Sequence, residues 1–207
     1  MDAHKLKILN AASALIFQRG YSRVTMDEIA RSVGMSKKTI YVYFDGKYTI
    51  LLEIVKKLQS DLKSDIESAL MNQSLSFTEK LQHTFASVSL HFGIVDRCFT
   101  DDIQKHTPHV WNDWNDFRKE IAHIHFHQLL EEGVKAGYVK KEINISMAVF
   151  LYMSALNSLL DNHFWRQLPS SIHEKIPSGM IDLFHSIMAI IFDGILTPET
   201  RHNFNSI

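Results

Sequence analysis

Apolar residues recur at three- and four-residue spacing along most of the 207-residue chain, and period-two runs are absent, so the regular elements are expected to be helices. Residues 4–19 place Ile8, Ala12, Leu15 and Ile16 on one face, with Gly20 just past the end as a C-cap. A shorter pattern opens at Thr25, whose hydroxyl can accept from a first-turn N–H while Glu28 reaches back to the cap. It carries Ile29, Ala30 and Val33, and Gly34 stops it. Ser36 is a cap for a third helix, whose inward residues Ile40 and Phe44 stand one turn apart. Residues 47–71 contain neither Pro nor Gly and hold Leu51, Leu52, Val55, Leu58, Leu62 and Ile66 at helical spacing, which predicts one long fourth helix. Its first turn belongs with the three helices before it and its remainder with the helices after it, so it reads as a mechanical link.

Ser76 or Thr78, with Glu79 or Lys80 following, can cap a further helix that runs through Phe92. Between Gly93 and His109 the pattern weakens around Pro108, which predicts a short helix between loops. A helix then runs from Val110 to about Gly137, and Asn144 caps another that is apolar nearly all round as far as Trp165. The segment Leu168–Pro177 breaks that helix, and a last one begins at about Ser178. The expected fold class is all-α, with about nine helices: a three-helix domain over residues 1–50 and a helical body over residues 51–207. A helix apolar on more than one face needs more than one partner. The last two are expected to meet their copies in a two-fold homodimer, through Leu156, Leu160, Phe164, Phe184, Ile187, Met188, Ile191 and Ile195. The alternative is a wholly internal core.

Residues 23–51 are written as a DNA-binding helix-turn-helix: two short helices, a glycine turn between them, then aromatics and a lysine. Lys38 and Val42 point away from the inward face of the third helix, and Lys37, Thr39, Tyr41 and Tyr43 lie on its flanks. Lysine neutralises phosphate and releases counterions; hydroxyls such as that of Ser36 and the N-terminal N–H groups fix register on the backbone. An ordinary solvated helix would use similar residues. Charge separates the two readings further. Residues 1–50 hold eight Lys+Arg and four Asp+Glu, a balance of +4, whereas the rest hold fourteen and nineteen, a balance of −5, so only the N-terminal part suits a polyanion.

The stretch VTMDEIARSVGMSKKTIYVYFDGKYTILLEI resembles the N-terminal domain of the TetR family of one-component transcriptional regulators. The resemblance covers about the first quarter of the chain, with caps, turn, core and aromatics in register. It implies that Thr25, Tyr43 and Lys47 contact phosphates and that Lys37, Lys38, Thr39, Tyr41 and Val42 belong to the recognition helix. Val42 stands where an aromatic is frequent, Asp45-Gly46 replaces a commoner polar pair, and Tyr48-Thr49 replaces acidic residues that often open the fourth helix. For the helical body, which is expected to bind an effector and to dimerise, the resemblance implies only architecture. That architecture favours a cavity for a small apolar or aromatic effector, walled by Phe92, Phe99, His106, His109, Trp111, Trp114 and Phe117, with His123 and His127 nearby. Core packing would use the same aromatics.

Other chemistries find little support. His123, His127 and Glu131 share a helix face, but three residues over two turns do not converge easily on one ion, so no metal and no cofactor is expected. One cysteine, Cys98, forms no intrachain disulfide and reads as a small buried hydrophobe rather than a redox sensor. No apolar run approaches the roughly 20 residues of a membrane span, and no signal segment opens the chain, so a cytoplasmic protein is expected. Phosphate-cradling glycine loops, a serine elbow and a His-Glu-x-x-His motif are absent, so no enzyme is expected. The expected function is a homodimeric repressor, released from palindromic operator DNA by its effector. The alternative is a regulator of the same fold governed by a protein partner or by no effector.

Overall fold

Caps and stops divide the N-terminal hundred residues at the positions their chemistry dictates. The computed structural model describes residues 2–95 and 97–200, and the side chains of Phe92, Ile94 and Arg97 lie outside that description. Helix α1 spans Ala3–Arg19, with Asp2 accepting from the N–H groups of His4 and Lys5. Helix α2, Met26–Val33, opens on the Thr25–Glu28 capping box and closes on Gly34, whose φ of 68° is left-handed and suits a residue without Cβ. Helix α3, Lys37–Tyr43, starts at Ser36, which accepts from the Thr39 N–H. Ile8, Ala12, Ile16, Val24, Ile29, Val33, Ile40 and Phe44 are all buried. Each of the larger aliphatic side chains contributes roughly 1.5–3 kcal/mol when removed from water.

Helix α4 runs unbroken over Lys47–Met71, as the absence of Pro and Gly predicts. It is followed by α5 (Phe77–Ile94), α6 (Arg97–His106), α7 (Pro108–Ile121), a π-helical turn (Ala122–Phe126) and α8 (His127–Ala136). The remaining helices are α9 (Ile145–Leu160), α10 (Asn162–Gln167), α11 (Ser170–His173) and α12 (Met180–Ile195). Twelve α-helices and a π turn stand among the described residues against about nine expected; one of the extra helices is the short α11, inside the segment 168–177 expected to be a connector, and the other differences are local. Pro108 begins α7, where its missing N–H costs nothing, rather than marking a loop. The single helix expected over 110–137 is interrupted by the π turn. Asp161 ends α9 and caps α10 by accepting from the N–H groups of His163 and Phe164, so the helix expected to reach Trp165 stops earlier.

Two compact units result. One comprises Met1–Asp61 with Ile94–Asn115, the other Leu62–Gly93 with Asp116–Ile207. The first is therefore larger than a head ending at residue 50, because α6 packs back on α1, with Phe99 edge-on to Phe17 at 4.9 Å between ring centroids. The second unit has its core at Phe85, whose ring meets Phe126, Tyr152, Phe184 and Phe192. Arg118 is buried beside this cluster and donates to the Leu156 carbonyl at 3.1 Å; burial lowers its pKa to about 10 and raises that of the Tyr152 phenol.

Candidate DNA interface

The packed head presents α3 with its outward side chains in distinct states. Lys37 is tied to Asp27 of α2 at 3.0 Å, a hydrogen bond and attraction that raise its pKa. The Thr39 hydroxyl pairs with Ser36 at 2.8 Å, and Tyr43 stacks with His4, ring centroids 6.1 Å apart. Lys38, Tyr41 and Val42 stand exposed, Val42 most of all. A cation, a phenol and an isopropyl group thus share the open surface of one short helix, an assortment suited to phosphates and base edges.

Around α3 the head is braced by charge. Thr25 donates its N–H to Glu28 at 2.9 Å and its hydroxyl accepts from the Glu28 N–H, while Arg19 grips the same carboxylate at 2.7 Å. The Arg19 bond first, then the two from Thr25, hold the Glu28 carboxyl down to about 2. Lys47 donates to the Tyr21 carbonyl at 2.7 Å and lies over the Tyr21 ring, 4.2 Å from its centroid. Burial lowers the pKa of this ammonium, against the opposing pull of Asp102 and Glu28. The structure therefore places Lys47 as a brace of the loop between α1 and α2. Sequence reasoning missed a further member, Asp102 of α6, which accepts from both the N–H and the hydroxyl of Ser22. Eighty residues separate the pair, and no local pattern signals it.

Residues 8–54 match the model for bacterial regulatory proteins of the tetR family, a span that contains α2, the glycine turn and α3. This N-terminal segment is a tetR-family domain. Along its length, the chain is 24% identical to the HTH-type transcriptional regulator YvaF of Bacillus subtilis, over 93% of this chain and 96% of the relative. A TetR-family regulator from Marinobacter aquaeolei superposes with a TM-score of 0.72 at 16% identity, covering 100% of this chain and 97% of that one. SmeT, described as the repressor of a multidrug efflux pump of Stenotrophomonas maltophilia, gives a TM-score of 0.64 at 14% identity, covering 95% of this chain and 92% of its own. In a complex with triclosan it gives 0.65 at 15%, covering 96% and 94%. These likenesses show the fold. No described helix is long and apolar enough to cross a membrane.

The other expected site residues are placed less favourably. Phe99, His106, His109, Trp111 and Trp114 belong to the first unit; Phe117, His123 and His127 belong to the second; and Phe92 falls outside the described side chains. Phe99 and Trp114 are buried as core, Phe99 against Phe17, while His106 and His109 are exposed. His123 is exposed and His127 half-buried, with ring centroids 6.0 Å apart and His127 3.9 Å from Glu131; among the described residues no three such groups gather as metal ligands would. Cys98 is exposed, contrary to its reading as a buried hydrophobe.

The expected dimer face also needs correction. Leu156, Leu160, Phe184, Met188 and Ile195 are closed inside the chain's own core, Ile187 and Ile191 are partly buried against it, and Phe164 is exposed. Apolar positions on an all-round apolar helix do not say which side faces inward. On these two helices the large apolar residues left open are Met147, Phe150 and Leu151 of α9 and Ile181 and Ile190 of α12. A cleft of about 480 Å³ opens beside the π turn, lined by Glu67, Leu70, Met71, Gln73, Lys80, His125 and Gln128. The buried His125 Nδ1 has no hydrogen-bond partner, and burial lowers the pKa of its ring.

Proposed function

We propose that this regulator is a homodimer that reads a palindromic operator with α3 of each subunit, represses by occupying it, and releases it when a small apolar or aromatic effector binds the helical body. The observation that carries this reading is the state of α3, whose Lys38, Tyr41 and Val42 are exposed while its inward Ile40 is sealed in the head core. Thr25, Ser36, Thr39, Tyr43 and Lys47 serve the phosphate backbone in this reading, with Lys47 acting from its place on the Tyr21 carbonyl. A seven-residue helix makes too few base contacts alone, so two are needed, set one helical turn of DNA apart or a multiple of it.

The second copy docks on the apolar rows that α9 and α12 leave open around Phe150 and Ile190; these helices also pack on each other. Repression and an aromatic effector follow the example of SmeT, a repressor that forms a complex with triclosan. Effector binding needs only a few kcal/mol of preference for the body conformation that misfits the operator. The deciding experiment combines sedimentation at micromolar concentration with gel shifts on duplex fragments, including the region upstream of the chain's own coding sequence. A dimer retarding a subset of fragments is expected. A monomer indifferent to all of them would end the proposal.

One observation favours a second reading, in which the body has a protein partner or no effector: the rings around Phe85 close on one another and fill the core of the second unit. Screening small aromatic compounds by thermal shift separates the two readings, because only the first predicts a stabilising compound that also releases DNA.

A further inference from the structure

The open face of α3 carries one side chain that water does not favour. Val42 is 76% exposed, the most exposed large apolar residue among those described, and it stands on a solvated helix of seven residues. Neither local structure nor the core explains it. A β-branched residue lowers helix propensity, and one so exposed gains almost nothing from burial on folding. Its neighbours on the outward side are the polar Lys37, Lys38, Thr39 and Tyr41, two of which are already engaged, Lys37 with Asp27 and Thr39 with Ser36. Lys38 stands one turn before Val42 on the same face, so a duplex held there by that ammonium has the isopropyl group facing it.

In the major groove a base pair displays hydrogen-bond donors and acceptors and, on thymine alone among the four standard bases, an apolar C5-methyl group. An isopropyl group has nothing to offer the donors and acceptors and is complementary to that methyl. We propose that Val42 is a specificity-determining residue that packs on the C5-methyl of a thymine in each operator half-site. This inference rests on the DNA-binding reading above and deepens it by naming the base. The recognised chemistry is a C5-methylated pyrimidine, which 5-methylcytosine also presents; thymine is the assignment, since it needs no modification of the DNA. Lys38 and Val42 then divide the work: the ammonium supplies charge, whose effect fades with salt, while the isopropyl contributes apolar contact that salt does not screen.

The test uses the full chain and a duplex that it selects from a random pool. Each thymine of that duplex is replaced in turn by deoxyuridine, which removes only the methyl group, and affinity is measured for the native chain and for Val42→Ala. Alanine is a stronger helix former, and the position is exposed, so an unchanged circular dichroism spectrum is expected. At one symmetry-related pair of positions, the native chain should lose roughly three- to five-fold per half-site on uridine substitution, the worth of one buried methyl. Val42→Ala, which keeps only one methyl for that contact, should lose clearly less on the same change. Cytosine against 5-methylcytosine at that position should show the same dependence on the methyl.

No uridine-sensitive position, or equal sensitivity in Val42→Ala, would overturn the inference. Tighter binding of 5-methylcytosine than of thymine would overturn the assignment to thymine. Retention of DNA without any enriched sequence would refute base reading by Val42 while leaving DNA binding intact, whereas failure to retain any duplex would instead refute the DNA-binding reading on which it rests.

Discussion

The Asp102 carboxylate holds Ser22 with two hydrogen bonds of 2.6 Å, one from the backbone N–H and one from the hydroxyl. Gly20, with φ of 88°, lies against the same carboxylate: an added Cβ would approach Asp102 Oδ2 to 3.1 Å, so the loop between α1 and α2 is shaped to receive α6. Asp102→Ala removes both acceptor contacts and should destabilise the first unit by about 1–2 kcal/mol, the range for hydrogen bonds to a charged group discounted for exposure. Ser22→Ala keeps the backbone bond and should cost less. Thermal melting orders the two variants, and faster amide exchange across residues 20–24 in Asp102→Ala locates the loss.

Glu28 makes the head sensitive to acid. Its folded pKa of about 2 lies below the ordinary 4.5, so the unfolded chain takes up the proton first, and the stability that Glu28 contributes is complete above 4.5 and is lost as pH falls towards 2. The melting temperature should therefore fall across that window in the native chain and fall less steeply in Glu28→Gln, which has no carboxylate to protonate.

Lys38 and Lys37 should separate in DNA binding despite being adjacent. Lys38→Ala is expected to weaken operator binding and lower the salt slope by about one per half-site. Lys37 must first leave Asp27, so Lys37→Ala should have the smaller effect. Tyr41→Ala should weaken binding too, and helix content should stay constant in all three. Gel shifts across a salt series supply the measurement; unaltered affinity for both Lys38→Ala and Tyr41→Ala would place the reading face elsewhere.

Core and interface should respond differently to mutation. Phe184 is fully buried, and Phe184→Ala should cost about 3–5 kcal/mol, visible as a loss of melting temperature. Ile190 is 74% exposed, and Ile190→Asp should dissociate the dimer in sedimentation while leaving the fold of each subunit in place. Dissociation by neither Ile190→Asp nor Phe150→Lys would move the interface off α9 and α12.

Much of the head is legible in the sequence because its information is local. The Thr25–Glu28 box, Gly34, the Ser36 cap and the unbroken run to Met71 act within one or two helical turns, and the structure shows them at the residues expected. The Asp161 cap is equally local, yet a continuous apolar pattern on both sides hides it. The candidate pocket and dimer residues are less legible, since periodicity marks an apolar side chain without saying what it will touch. Phe99 meets Phe17 and Phe184 meets Phe85, both distant in sequence.

By itself, then, the sequence determined an all-helical chain with a basic helix-turn-helix at its start, because caps, turns and apolar spacing are properties of neighbouring residues. Tertiary structure alone decided that Asp102 braces the head, that Lys47 and Lys37 are engaged, and that Phe150 and Ile190 rather than Phe184 and Met188 remain open. Those outcomes depend on which helix faces meet once the chain packs, and identical spacing is compatible with either face being buried.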